Sequence, residues 1–318
     1  MMDSAQLIAS SQAMLAPLDF WLRIASTAGY LSGYLLICAA LYWSGFISLA
    51  TRLTCTILAS TLLFGGCRQI FDSPRPYYDH PELFNGWKEH RWGMPSGHSQ
   101  NAVVFWGGAL ISTPTRLFKL LAVALIALIA ISRLYLGVHY PSQIMMGLIN
   151  GACIVLITWR YGARFINWLQ NKRFHQQLLT LLLLTSIPWL ATTIAHEVLG
   201  FGSGNGSPYP YQKLSFFSGL LFGTSLAVLI ASTQTSFTML APSWKLISTR
   251  TIPGLLTVLL VWPFRFEPQT GTEQTFVIYT LIWLQGFGIS LWAALIWPLC
   301  HFQLLGQQHS RRDQEFVE

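Results

Sequence analysis

Charged residues are scarce in this chain. Of its 318 residues only 10% are Asp, Glu, Lys or Arg, whereas 53% are hydrophobic. Soluble domains usually carry about 25% charged residues, so this composition excludes a chain that is mostly soluble domain and indicates a membrane protein. The formal net charge is +7, but the basic residues are spread over separate stretches of the sequence, which argues against a nucleic-acid partner.

Clusters of metal-ligand residues are also lacking. The five cysteines fall in or beside apolar stretches, as small buried hydrophobic residues do, and they show no metal-ligand spacing. His80 and His90 likewise have no second ligand at such a spacing. We therefore predict no metal site and no other cofactor.

Apolar stretches recur along the whole chain, and most approach the roughly 20 residues that a membrane-spanning helix needs. The sequence predicts an all-α, polytopic membrane bundle of about nine transmembrane helices. These helices lie near residues 28–43, 49–71, 98–112, 117–137, 141–161, 177–199, 213–233, 251–264 and 276–301. No positively charged segment precedes the first apolar stretch, so we expect no cleaved signal peptide; residues 7–24 are predicted to lie along the membrane interface as an amphipathic helix.

The two sides of these predicted helices differ in charge. Most basic residues fall on one side, which the positive-inside rule makes cytoplasmic, and most acidic residues fall on the other. The acidic side also holds the three polar segments described next, so we expect them to face outward, toward a periplasm or lumen. Glycines four residues apart predict close helix packing. The pairs are Gly29 and Gly33, Gly147 and Gly151, and Gly219 and Gly223.

The first polar segment contains Arg68 and Arg75, at the outer end of the second predicted span and just beyond it. An arginine at membrane depth costs several kcal/mol unless it has a partner. Pro74 and Pro76 restrict the backbone on both sides of Arg75, which indicates that the Arg75 side chain is held in one direction. Guanidinium groups match phosphate oxygens bidentately, so this segment predicts an anion site.

The second and third polar segments supply further groups for the same anion. Residues 95–98 read Pro-Ser-Gly-His and open the third predicted span, where free backbone amides and the helix dipole favour an anion. Ser132 and Arg133 close the fourth span, and His139 lies in the turn before the fifth. All three segments should meet at one membrane surface, because no apolar core requires two histidines and three arginines together.

These segments resemble the three-part signature of the type 2 phosphatidic acid phosphatase superfamily. That signature is Lys-x6-Arg-Pro, then Pro-Ser-Gly-His, then Ser-Arg-x5-His-x3-Asp. It is similar here to residues 68–76, 95–98 and 132–143, and the resemblance covers about residues 28–161. The resemblance implies a phosphatase core of the six-helix type followed by a C-terminal helical extension. We expect an interfacial segment at 1–26, a catalytic core at 27–175, a transmembrane extension at 176–302 and a cytoplasmic tail at 303–318.

The resemblance also implies a covalent mechanism without metal. His139 would attack phosphorus and form a phosphohistidine, while His98 would protonate the leaving alcohol and then activate water. The remaining matched groups would bind the phosphoryl oxygens. They are Arg68, Arg75, Ser96, the Gly97 amide and Arg133.

Two positions depart from the signature. Arg68 replaces its Lys and keeps the charge, whereas Gln143 replaces the Asp that would hydrogen-bond the nucleophilic histidine. Gln143 can still accept a hydrogen bond from His139, but it supplies no negative charge, and loss of that charge in a serine triad costs about ten-thousandfold in turnover. We therefore predict slow or differently tuned catalysis. Glu197 is a candidate for a substitute carboxylate.

The leading hypothesis is an integral membrane phosphatase for an amphipathic lipid phosphate or diphosphate, working at the outer face of a bacterial inner membrane. Candidate substrates are an isoprenyl diphosphate, phosphatidate, phosphatidylglycerol phosphate and a sphingoid phosphate. A lipid phosphotransferase would differ only in admitting a hydroxyl in place of water. A non-enzymatic lipid-phosphate binder or carrier is the alternative from another class. The predicted partners are the lipid substrate and the bilayer, and the sequence makes no prediction of oligomeric state.

Overall fold

A computed structural model describes residues 4–200, 211–232, 247–261 and 276–300 of the protein. Within these ranges the chain is almost entirely helical and contains no β-strand; one isolated bridge joins Pro74 and Trp92. The all-α class predicted from the sequence is confirmed.

The helices of the described ranges come in the following order along the chain. The helices before the first polar segment are α1 (Ser4–Leu15), α2 (Asp19–Ala28), α3 (Leu31–Trp43) and α4 (Ile47–Phe71). After a long loop come α5 (Gly97–Ala102), α6 (Arg116–Tyr135), α7 (Pro141–Gln170) and α8 (Phe174–Leu199). The last three are α9 (Tyr211–Ser232), α10 (Ile252–Val261) and α11 (Phe276–Leu291). Helix α5 continues through a wide turn at Val103–Gly107 into Gly108–Ile111, and α11 continues through a similar turn at Trp292–Ile296.

Six helices in the described ranges are long and apolar enough to cross a membrane. They are Ile47–Phe71, Arg116–Tyr135, Pro141–Gln170, Phe174–Ala195, Lys213–Ala231 and Phe276–Cys300. A seventh span results if Ser4–Ala28 and Leu31–Trp43, which are bent by 60° relative to each other, cross together. The polytopic helical architecture is therefore confirmed. The predicted spans near 98–112 and 251–264 correspond to shorter helices, so the count of nine stays a prediction.

The chain divides into two compact units. The first contains Met1–Leu35 and Thr56–Leu214, and the second contains Leu36–Cys55 and Ser215–Glu318. All three polar segments belong to the first unit. The domain boundaries predicted from the sequence stay predictions, and the predicted cytoplasmic tail at 303–318 lies outside the described residues.

Glycines let helices approach closely in the first unit. A Cβ on Gly147 of α7 would lie 2.5 Å from the Ser96 carbonyl oxygen, and one on Gly151 would lie 2.8 Å from the Gln100 carbonyl oxygen. Helix α7 therefore packs directly on the backbone of α5, as predicted. This contact fixes the second polar segment against the start of α7. By contrast, a Cβ on Gly33 would meet no atom within 4 Å.

The second unit uses the same device between α9 and α11. A Cβ on Gly219 would lie 2.0 Å from the Trp283 carbonyl oxygen, and one on Gly286 would lie 2.2 Å from the Phe216 carbonyl oxygen. Elsewhere in this unit the Tyr42 hydroxyl donates to the Ala294 carbonyl oxygen at 2.8 Å. The unit is thus held by close backbone contact and by aromatic side chains.

Candidate active site

The loop between α4 and α5 folds back on the end of α4. The indole N–H of Trp92 donates to the Asp72 carboxylate at 2.9 Å, and the Gly93 N–H donates to the Ser73 carbonyl oxygen at 2.8 Å. The Tyr77 hydroxyl donates to the Glu89 carbonyl oxygen at 2.6 Å. These bonds place residues 89–96 beside Arg68 and Arg75, and so bring the first two polar segments together.

Arg75 is completely buried and every nitrogen of its guanidinium has a partner. Its Nε donates to the His90 carbonyl oxygen, and its Nη2 donates to the Glu89 carboxylate at 3.0 Å. Its Nη1 donates to the Val138 carbonyl oxygen at 2.8 Å and lies 2.9 Å from His139 Nε2. Arg75 therefore joins the loop to the turn that carries the predicted nucleophile.

The other two arginines converge on the same place. Arg133, at the end of α6, is completely buried and donates to the Ser26 hydroxyl and to the Glu89 carboxylate. Arg68 donates to the Pro95 carbonyl oxygen at 3.3 Å, and its Nη1 lies 3.1 Å from a ring nitrogen of His90. A Cβ on Gly97 would lie 3.3 Å from Arg68 Nη2, so the glycine lets this guanidinium reach the start of α5.

Ser96 begins α5 and ties it to α7. The Ser96 side chain accepts a hydrogen bond from the Ser99 hydroxyl at 3.0 Å, and its backbone N–H donates to the Gln143 carbonyl oxygen at 3.0 Å. His98, in the first turn of this helix, is buried, and its Nε2 has no hydrogen-bond partner among the described residues. This nitrogen is available to a ligand.

The hydrogen bonds of Gln143 fix the tautomer of His139. The Gln143 amide nitrogen donates to the Pro74 carbonyl oxygen at 2.7 Å and to the Ser73 hydroxyl at 3.0 Å, which orients the amide. Its Oε1 therefore faces His139 Nδ1 at 3.1 Å and accepts the proton that this nitrogen carries. The lone pair of His139 consequently lies on Nε2, the atom that Arg75 contacts.

His139 is held neutral by its surroundings. Burial and the guanidiniums of Arg75 and Arg133 hold the pKa of its imidazole well below the usual value, although the Glu89 carboxylate opposes this effect. A neutral imidazole with a lone pair on Nε2 is the form that can act as a nucleophile.

Glu89 is the site residue that sequence reasoning missed. Its carboxylate bridges Arg75 and Arg133, and these guanidiniums hold the pKa of the carboxyl well below its usual value although burial acts in the opposite direction. No motif spacing marks Glu89. Glu89 could have been predicted from charge alone, because buried arginines require a counter-charge and Glu89 is the acidic residue nearest before residues 95–98 in the sequence. The side chain of Glu197, the carboxylate considered from the sequence, lies outside the described residues.

The first unit also draws N-terminal residues into this site, among them Ser26, which the sequence placed in the separate interfacial segment at 1–26. Ser26 of α2 contacts Arg133, and Tyr30 packs edge-on against the His98 ring with 4.7 Å between ring centroids. All of the predicted site residues thus lie in one cluster at the ends of α4 and α6 and the starts of α5 and α7. The roles that the sequence assigns to them stay predictions.

Comparison with known proteins gives two curated relatives. The chain is 26% identical over 240 residues to a dihydrosphingosine 1-phosphate phosphatase of Schizosaccharomyces pombe, covering 68% of this chain and 53% of that protein. It is 29% identical over 167 residues to lipid phosphate phosphatase delta of Arabidopsis thaliana, covering 46% of this chain and 40% of that protein. The chain thus spans about half the length of these relatives. No solved structure matches it.

The family comparison agrees with the geometry of the cluster. The model of the PAP2 superfamily matches residues 49–167, which run from within α4 to within α7 and include all eight site residues that the sequence predicted. With its three arginines, two histidines and helix-start serine in the predicted order, this segment of the chain is similar to the PAP2 superfamily.

Proposed function

We propose that the protein is a membrane phosphatase that hydrolyses a lipid phosphate through a phosphohistidine on His139. The observation that supports this most strongly is the state of the imidazole: Gln143 accepts the Nδ1 proton, so the Nε2 lone pair points at the arginine cluster. A phosphoryl group bound by Arg68, Arg75 and Arg133 would meet that lone pair directly.

The proposed reaction has two steps. His139 Nε2 attacks phosphorus, the bond from phosphorus to the lipid oxygen breaks, and His98 gives its proton to the leaving alkoxide. Water then attacks the phosphohistidine, His98 takes its proton, and the bond from phosphorus to nitrogen breaks to release phosphate. The arginines, the Ser96 hydroxyl and the Gly97 amide stabilise the negative charge of the phosphoryl oxygens in both steps.

In this mechanism Gln143 orients the nucleophile and Glu89 supplies the negative charge. A glutamate at position 143, which has the length of the glutamine, would turn a carboxylate oxygen toward the Pro74 carbonyl oxygen, which now accepts a hydrogen bond from the amide at 2.7 Å. The amide is therefore the side chain that suits this backbone. Glu89 forms ion pairs with both arginines, and its negative charge stabilises the positive charge that the His139 imidazole gains when Nε2 bonds to phosphorus and loses when that bond breaks.

We propose a sphingoid phosphate as the first substrate to test. The similarity to the fission-yeast dihydrosphingosine 1-phosphate phosphatase extends over 240 residues, well beyond the 119 residues of the superfamily segment at 49–167. Phosphatidate, phosphatidylglycerol phosphate and an isoprenyl diphosphate are the comparison substrates.

We propose that the site opens on the non-cytoplasmic face of the membrane. Arg116 begins α6 and Arg133 ends it, so the two lie at opposite ends of one apolar helix. Lys172 and Arg173, after α7, lie at the end of that helix opposite His139. The positive-inside rule assigns the end with Arg116, Lys172 and Arg173 to the cytoplasm. Both relatives are eukaryotic proteins, so they give no support to the bacterial membrane expected from the sequence.

The test is phosphate release by the purified protein in detergent. The protein should release phosphate from at least one of the four lipids, and His139→Asn should abolish the release. Lipid binding without release would favour a lipid-phosphate binder. Transfer of the label to an added lipid alcohol in preference to water would favour a phosphotransferase.

A further inference from the structure

The N-terminal helices precede the superfamily segment at 49–167 but contact its reactive residues. Ser26 accepts a hydrogen bond from Arg133 and is completely buried. A Cβ on Gly29 would lie 2.8 Å from Cδ2 of His98, so the backbone of this segment touches the imidazole. The segment that ends in Gly29 and Tyr30 therefore forms a wall of the site.

Several hydrogen bonds hold this wall in place. The Tyr135 hydroxyl donates to the Asp19 carboxylate at 2.8 Å, which ties α2 to the end of α6. Arg23 donates to the Asn85 carbonyl oxygen at 3.1 Å, which ties α2 to the loop before α5. Asp19 and Arg23 also form an ion pair with each other at 2.9 Å. These contacts come from two separate parts of the superfamily segment, so the position of α2 is determined by the site around it.

Two aromatic rings extend the wall beyond His98. The Tyr30 ring meets the His98 ring at an interplanar angle of 69°, and it stacks on the Trp87 ring with 6.4 Å between centroids. Tyr30 is 38% exposed and Trp87 is partly exposed, whereas the neighbouring Trp92 is buried and bonded to Asp72. The pair Tyr30 and Trp87 therefore offers an apolar aromatic surface next to the imidazole.

We propose that Tyr30 and Trp87 determine which leaving group the enzyme accepts, by contacting the first carbons of a long-chain alcohol. This inference rests on the proposed function, in which His98 protonates the leaving oxygen. The atoms bonded to that oxygen must then lie beside His98, where the aromatic pair lies. Apolar carbons gain from burial against aromatic rings, and the ammonium that a sphingoid alcohol carries near its ester oxygen gains a cation–π contact with such rings. A polyhydroxylated alcohol such as a sugar would lose water without gaining hydrogen bonds. The substrate class is thus the phosphate ester of a long-chain alcohol, as distinct from a sugar phosphate.

The experiment separates leaving-group binding from phosphoryl binding. KM for a long-chain alkyl phosphate in mixed micelles reports both, whereas the inhibition constant of orthovanadate, a phosphate-like anion without a leaving group, reports the arginine cluster alone. In Tyr30→Ala and in Trp87→Ala we expect the ratio of KM to the vanadate inhibition constant to rise about tenfold. In Tyr30→Phe, which keeps the ring, the ratio should remain near that of the wild type.

Trp21→Ala is the matched control, since Trp21 belongs to the same α2 segment and its ring is 62% exposed. Its ratio should equal that of the wild type. If KM and the vanadate constant rise together in Tyr30→Ala, or if neither changes, the aromatic pair does not select the leaving group and the inference is overturned. If the wild-type protein itself cleaves no alkyl or lipid phosphate, the proposed function fails first, and that result is obtained before any variant is measured.

Discussion

The first unit of this chain contains a buried ionic network at its predicted site, whereas close backbone contacts at glycines occur in both units. In the first unit Arg75, Arg133 and His139 are completely buried, and each is held by several hydrogen bonds. In the second unit α9 and α11 meet through glycines, with backbone against backbone. Because an unpaired charge inside a membrane protein is costly, buried ionic networks are expected only where chemistry requires them. The comparison predicts that substitutions in the first unit change catalysis and that substitutions in the second change stability.

The largest effect should come from the predicted nucleophile. His139→Asn removes the Nε2 lone pair but keeps a side chain that can bond to Gln143. We expect the rate of phosphate release to fall more than about a thousandfold, because no other group can take the covalent role. Measurement of kcat with the preferred lipid tests this, with the melting temperature in detergent as the control. A residual rate within tenfold of the wild type would contradict it.

Glu89→Ala should affect both catalysis and stability. It leaves Arg75 and Arg133 buried without their shared carboxylate. Breaking such a buried network by removing one partner costs about 3 kcal/mol or more, and kcat/KM should fall about a hundredfold as the arginines lose their positions. Glu82→Ala is the control, because the Glu82 side chain is 67% exposed. An unchanged melting temperature in Glu89→Ala would show that the ion pairs contribute little.

Gly286→Ala, in the second unit, should lower stability and leave catalysis unchanged. The new Cβ would lie 2.2 Å from the Phe216 carbonyl oxygen, so α9 and α11 must separate. We expect a loss of about 1–3 kcal/mol, seen as a lower melting temperature, with kcat/KM retained at temperatures below the transition. Gly288→Ala is the matched control, since its Cβ would meet no atom within 4 Å. A large loss of kcat/KM in folded Gly286→Ala would contradict the claim that substitutions in the second unit change stability and not catalysis.

Substitutions of Gln143 test whether this side chain orients His139 in the first unit. Gln143→Ala removes the acceptor for His139 Nδ1, and we expect kcat to fall about a hundredfold or more because the imidazole loses its tautomer and orientation. Gln143→Asp should also be slower than the wild type, because the shorter side chain loses the hydrogen bond to the Pro74 carbonyl oxygen that orients the amide. If neither variant changes kcat, Gln143 does not orient His139.

The smallest predicted effect is a shift in pH dependence. The proposed mechanism requires neutral His139, whose pKa is held well below its usual value, so the acid limb of kcat/KM should lie below about pH 6.5. Glu89 raises this pKa, so Glu89→Gln should move the acid limb to lower pH. Comparison of the two pH profiles cancels the ionisation of the substrate, which both share. A shift to higher pH would contradict the assignment.

The sequence predicted the parts of the site that motifs encode. The spacing of Arg68, Arg75, His98 and His139 was enough to predict that these residues meet, because short hairpins in a membrane bundle return to one surface. Gln143 was predicted to accept from His139, and the distance of 3.1 Å is consistent with this. Long apolar stretches likewise predicted most of the helices.

Glu89, Ser26 and Tyr30 could not be found in the same way. Their contacts depend on how a long loop folds back and on how the N-terminal helices pack against α6, and no local sequence period records either. The hydrogen bond from the Gln143 amide to the Pro74 carbonyl oxygen could not be predicted either, because every residue has a backbone carbonyl and the sequence does not indicate which one accepts. Tertiary packing therefore supplied the residues that complete the site.

Trapping the covalent intermediate tests the central claim most directly. The wild-type protein would be mixed with a lipid phosphate labelled on phosphorus and quenched in alkali, where a phosphohistidine survives, and the labelled peptide would be identified. We predict label on the peptide that contains His139 and none in His139→Asn. Rapid phosphate release without any label on that peptide, or full activity of His139→Asn, would contradict the account.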